Sequence, residues 1–278
     1  MNTRTLKAIA TKDLLEVRQN KAAWMPMVIV PLIFVLLIPL GMILAPQYAN
    51  IPLEQFTADS DLEVFLANMP PSLLQTLEGL DALQSMLVMM LGYMFAPMFL
   101  IFPLMFSTVI AAESFAGERE RKTMESLLYT PATDGELFMG KVLAAFVPAM
   151  LLSWGSYLGY IVVVNTASFP LFGRIWFPLP SWWPLMLWIA PALALLGISA
   201  TVLISMRTHT FMGAYQLSSS LVLLVVVLMG GQLAGVLYLS VGVGLLVGLV
   251  LWLVAAGLTV QAVRSFNRTR LLSDSGSA

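Results

Sequence analysis

The densest chemistry in this chain lies in one stretch, Glu113–Lys141, which reads ESFAGERERKTMESLLYTPATDGELFMGK. Carboxylates and cations alternate there at Glu118, Arg119, Glu120, Arg121, Lys122 and Glu125. Such mixed charge suits ion pairing with another protein surface, and it equally suits a solvated loop that fixes topology. Both readings stand on composition alone. At the end of the stretch, Gly135–Val142 matches most of a phosphate-binding loop, but Val142 stands where the magnesium-binding Ser or Thr belongs. No strand is expected before it, so a helix start is the better reading. The lone histidine, His209, sits in a short polar turn, and there is no cysteine. These counts leave no thiolate chemistry or disulfide and little scope for zinc, which takes several His or Cys ligands. Ser153, Ser156, Ser199, Ser218, Ser219 and Ser220 have no evident base, so hydrolysis inside a membrane is not indicated.

The elements that must position this stretch are apolar. The 278 residues are 59% hydrophobic and 10% charged, against roughly 25% charged in soluble domains. A surface of this size cannot be coated by so few charges, so most of the chain is expected to face lipid. The net charge of −1 gives no reason to expect a nucleic-acid partner. A span needs about 20 apolar residues, and six are expected, at about 23–45, 85–112, 137–164, 182–206, 211–229 and 237–263. Pro26, Pro31 and Pro39 should kink the first. The uncharged run Phe211–Val263 is too long for one span, and its break is placed at Gly230–Gly235. The expected class is therefore all-α integral membrane protein.

Charge asymmetry orients the spans. With the N-terminus cytoplasmic, the inside segments hold Arg4, Lys7, Lys12, Arg18, Lys21, Arg119, Arg121, Lys122, Lys141, Arg207, Arg264, Arg268 and Arg270, and the outside holds only Arg174. Both termini are thus expected in the cytoplasm, with a tail at 266–278. Residues 1–22 read as an amphipathic helix on the inner leaflet. Leu6, Ile9, Ala10, Leu14 and Val17 form its apolar face, with the basic residues over much of the rest. Leu73, Leu74, Leu77, Leu80 and Leu83 suggest an outside helix leading straight into the second span. Trp176, Trp182 and Trp183 read as interfacial anchors. Glu118–Leu128 can form a cytoplasmic helix ended by Thr130-Pro131, and Thr133 or Asp134 can cap the third span.

The run Gly117-Glu118-Arg119-Glu120-Arg121-Lys122-Thr123-Met124-Glu125-Ser126-Leu127-Leu128, followed by Thr130-Pro131, Glu136-Leu137 and Gly140-Lys141, resembles ABC transporter permeases of the ABC-2 type. The likeness is greatest to sodium-exporter and multidrug-exporter subunits. The resemblance implies a permease with no ATPase site or cofactor of its own. It would pair with a second permease subunit and dock on a dimer of ATP-binding subunits, which hold ATP and magnesium. The helix between spans two and three would be the coupling helix. Glu118, Arg119, Glu120, Arg121, Thr123 and Glu125 would be its ATPase contacts, in a plasma-membrane exporter.

This chain departs from the family pattern in two places. Lys122 replaces a family glycine, which should not matter in a solvent-facing turn, and Phe211–Val263 leaves almost no room for outside helices between spans five and six. An ion-coupled secondary transporter and a non-transporting scaffold remain as alternatives. The former usually keeps ionisable groups in its spans, and the last three spans here have none. Uncharged spans suit an apolar or amphiphilic substrate.

Overall fold

The computed structural model describes residues 3–48, 75–123, 133–208, 210–233 and 240–265. All regular structure among them is helical. Six helices are long and apolar enough to cross a membrane: Lys21–Pro46, Ala82–Glu120, Gly135–Phe172, Trp182–Ser205, Phe211–Gln232 and Val241–Ser265. They are the first to sixth spans below. Large apolar side chains such as Leu37, Leu151, Leu158, Val162, Leu246 and Leu253 point outward. That inversion of soluble packing is what a lipid solvent selects. The sequence and the six helices together make this a multi-pass membrane protein.

The second span is the centre of the bundle, with most of its length buried. At 39 residues it is about 58 Å long at 1.5 Å per residue, against a hydrocarbon core of about 30 Å. It therefore runs well past the expected end at residue 112 and carries Glu113–Glu120 on its own extension. The third span starts from Thr133, whose hydroxyl accepts the N–H of Glu136 while the Glu136 carboxylate accepts the N–H of Thr133. This reciprocal cap settles the choice between Thr133 and Asp134. Helix continues unbroken through Gly135–Val142, so the loop that a phosphate site needs is absent there.

Among the described residues, four stretches widen to π-helical geometry: Ile33–Leu37, Val88–Met94, Glu113–Gly117 and Leu185–Ile189. Three of them lie just before Pro39, Pro97 and Pro191. Proline has no N–H to donate and its ring crowds the carbonyl four residues back, so the preceding turn opens. Glu113–Gly117 has no such proline, and it is the one that holds charge.

Several local expectations are corrected. The segment before the second span does not run straight into it. Residues 75–77 are helical, Gly79 turns the chain at φ +79°, and Asp81 starts a new capped helix. Trp182 is fully buried rather than an interfacial anchor, whereas Trp183 is exposed. The N-terminal helix, Thr3–Gln19, packs on the third span with Asp13 and Val17 buried, while Leu14 and Leu15 face outward. Asp13 and Val17, not Leu14 and Leu15, face the protein. Gly244 and Gly248 pack on Pro184, Trp188 and Ile189 of the fourth span, so this small-residue pair serves the bundle itself. The break expected at Gly230–Gly235, the tail 266–278 and His209 lie wholly or partly outside the described residues.

Candidate functional site

Where the N-terminal helix crosses the ends of the second and third spans, seven ionisable side chains converge. Lys141, 1% exposed, projects from the third span into the gap. Its Nζ donates to Glu118 Oε2 at 2.6 Å, to the Ser114 carbonyl at 2.7 Å and to Ser114 Oγ at 3.2 Å, and lies 3.5 Å from Asp13 Oδ2. The Phe115 ring lies 5.4 Å from the same nitrogen. Glu118 is fully buried, and its other oxygen takes the Lys12 ammonium of the N-terminal helix. Lys12 also pairs with Glu16 at 3.1 Å and Asp13 at 3.7 Å. Asp13 accepts the Ser114 hydroxyl.

A second layer closes over the first. Arg121 bonds Glu113 Oε1 at 2.6 Å and Glu16 Oε2 at 3.0 Å, and Asn20 donates to Glu113 Oε2 at 2.8 Å. The widened turn makes this possible. With bonds closing over five residues rather than four, Glu118 reaches Lys12 of the N-terminal helix while Glu113, five residues back, reaches Asn20, the cap of the first span. Gly117 leaves room for Glu113, since a Cβ there would lie 3.1 Å from the Glu113 carboxyl group.

The remaining members bind helix ends. Arg119 donates to the Ser205 carbonyl at 2.9 Å, at the C-terminus of the fourth span, where a cation complements the exposed carbonyls. Glu120 accepts the N–H of Phe211 at 2.8 Å, at the N-terminus of the fifth, where an anion is favoured. Thr123 Oγ1 donates to the Glu118 carbonyl at 3.2 Å. Lys122 has φ +57°, a left-handed conformation that turns the chain off the helix after Glu120.

These placements change three expectations. A helix over Glu118–Leu128 is not formed as drawn, because the second span itself supplies Glu118–Glu120 and then stops at Lys122. Residues 124–132, including Glu125, lie outside the described residues. The lysine at the family glycine does matter, because that position requires positive φ. Glu118 is not on a surface at all, being enclosed by Lys12 and Lys141, whereas Glu120, Arg121 and Lys122 are exposed. Sequence reading missed Lys12, Asp13, Glu16 and Asn20 as partners. The available signal was two acids, Asp13 and Glu16, at helical spacing inside an otherwise basic segment.

Electrostatics follow from burial. Burial raises the Asp13 pKa above its ordinary value, and the Glu118 charge adds to this, while Lys141, Ser114 and Lys12 offset only part of it. For Lys12, burial alone would disfavour the ammonium, but the hydrogen bond and charge of Glu118, with Glu16 and Asp13, outweigh it and hold the group protonated. Asp13, Glu16 and Glu118 bring carboxylate oxygens within 4.8 Å of one another, a spacing that could hold a metal ion. The cation that reaches all three is the Lys12 ammonium.

The chain matches the family described as ABC-2 family transporter protein over residues 7–268. It belongs to that family. The match takes in the N-terminal helix from residue 7, every span and the charge cluster. No curated protein and no solved structure shows a significant match. In this ABC-2 transporter the motif segment is therefore the knot that ties the N-terminal helix to four of the six spans.

Proposed function

We propose that the chain is the transmembrane permease subunit of an ATP-driven exporter in the plasma membrane, with both termini in the cytoplasm. ATP and magnesium are held by a dimer of separate ATP-binding subunits, and a second permease subunit completes the complex. The observation that carries this reading is the bonding of Glu118–Arg121 to the N-terminal helix and to the third, fourth and fifth spans. A force applied beside Lys122 acts on all of them at once. In a close-packed bundle such a displacement shifts whole helices rather than dissipating locally.

The six motif residues then divide by role. Glu120 and Arg121, exposed beside Lys122, present charge to the ATP-binding subunit together with Thr123 and Glu125. Glu118 and Arg119 transmit the motion inward. Co-purification with a candidate ATP-binding subunit, followed by ATP hydrolysis in lipid, tests the proposal. Glu118→Gln should retain pairing while stimulated hydrolysis falls roughly tenfold, within the usual range of coupling free energies. Arg121→Glu should weaken pairing itself. Absence of both pairing and stimulation would overturn the reading.

A further inference from the structure

At the end of the bundle opposite the charge cluster, the hydrogen-bond ladder of the second span is interrupted and the helix is then held by its neighbours. Pro97 has no N–H to give to Tyr93 at α-helical spacing or to Gly92 at π-helical spacing. Three consecutive carbonyls are bonded from outside the helix. Tyr160 Oη of the third span donates to Leu91 at 2.8 Å, Trp182 Nε1 of the fourth donates to Gly92, and Gln232 Nε2 of the fifth donates to Tyr93 at 2.8 Å. Phe99 and Phe177 pack against Trp182 with ring centroids 5.1 and 4.8 Å away, and Leu179 presses on Gly92 so closely that a Cβ would lie 2.9 Å from it.

We infer that Tyr160, Trp182 and Gln232 are the outer gate of the transport path, released when the second span moves. This rests on the exporter reading for its direction, outward at this end. Two further observations separate a gate from a static brace. Tyr157 Oη and Gln232 Oε1 are buried beside it with no hydrogen-bond partner among the described residues, so the closed state leaves polar groups that entering water would satisfy. The three bonds also all fall on one π-helical stretch, whose weakened ladder can shift by one residue without breaking the span. One end of the second span thus carries the charge cluster and the same helix carries the gate.

The absence of cysteine allows a direct test with single-cysteine reporters in the full-length protein in cells. Ala96→Cys lies buried one turn beyond the gate, and Ala111→Cys is buried near the charge cluster. A membrane-impermeant maleimide is added from outside. Tyr160→Phe and Gln232→Leu, singly and together, should raise labelling at position 96, by roughly tenfold for the pair given two lost bonds. Labelling at position 111 should stay at its basal level. Unchanged labelling at 96 in a folded protein would overturn the gate, and so would equal increases at both positions, which mean general loosening. The assay needs no ATP and no partner. Its failure leaves the ATP-driven reading standing, and failed co-purification leaves the gate still open to measurement.

Discussion

Lys141 shows how much can depend on a single cation. It is 1% exposed and serves Glu118, Asp13 and Ser114 together. Lys141→Met keeps the stem volume and removes the charge, leaving carboxylates buried with fewer partners. Breaking a buried pair this way costs about 3 kcal/mol or more, so thermal unfolding of the purified protein should show a loss of that order. Asp13 gives a pH signature. Its carboxyl is raised above 3.8, mainly by burial. Such a group contributes its full stability below its unfolded value and loses it as pH rises through the folded one. Asp13→Asn should therefore flatten the fall in melting temperature from about pH 4 toward neutrality. At Lys122 the backbone is left-handed, which costs a residue with a Cβ roughly 1 kcal/mol. Lys122→Gly should raise the unfolding midpoint accordingly.

Among the elements, the fourth span is held by close contacts that tolerate no added volume. A Cβ on Gly248 of the sixth span would lie 2.1 Å from Trp188, and one on Gly197 would lie 2.7 Å from Ser107 Oγ of the second. Rotating Trp188 away would break the bond from its Nε1 to the Leu245 carbonyl. Gly248→Ala should cost about 1–3 kcal/mol as an overpacked core site, read as a lowered melting temperature. Gly257→Ala, with nothing within 4 Å of its Cβ, should be close to neutral and serves as the control. Glycine spacing alone does not show which pair packs against another helix. Gly155 and Gly244 both precede another glycine by four, but only Gly244 faces a partner helix closely.

For the whole molecule, the prediction is topological. Gly173 follows the third span and Lys122 follows the second, so reporters placed at these two positions should report opposite sides of the membrane. Reporters at Lys122 and at the N-terminus should report the same side. The length and hydropathy of the runs determined the six crossings, because a continuous apolar run of about 20 residues satisfies its backbone in lipid as a helix. Of the three prolines in the first span, Pro39 follows a widened stretch at Ile33–Leu37, whereas Pro26 and Pro31 lie within regular α-helix. The charged motif near Glu118 marked the family. What sequence could not supply was which way the charges face. A stripe of Lys12, Asp13, Glu16 and Asn20 reads as a solvated helix face until the second and third spans bring Glu118 and Lys141 against it. The binding of Tyr160, Trp182 and Gln232 to three successive carbonyls is likewise a meeting of residues up to 139 positions apart. Periodicity along one helix carries information about that helix alone, and only tertiary packing decides which buried charges and freed carbonyls find partners.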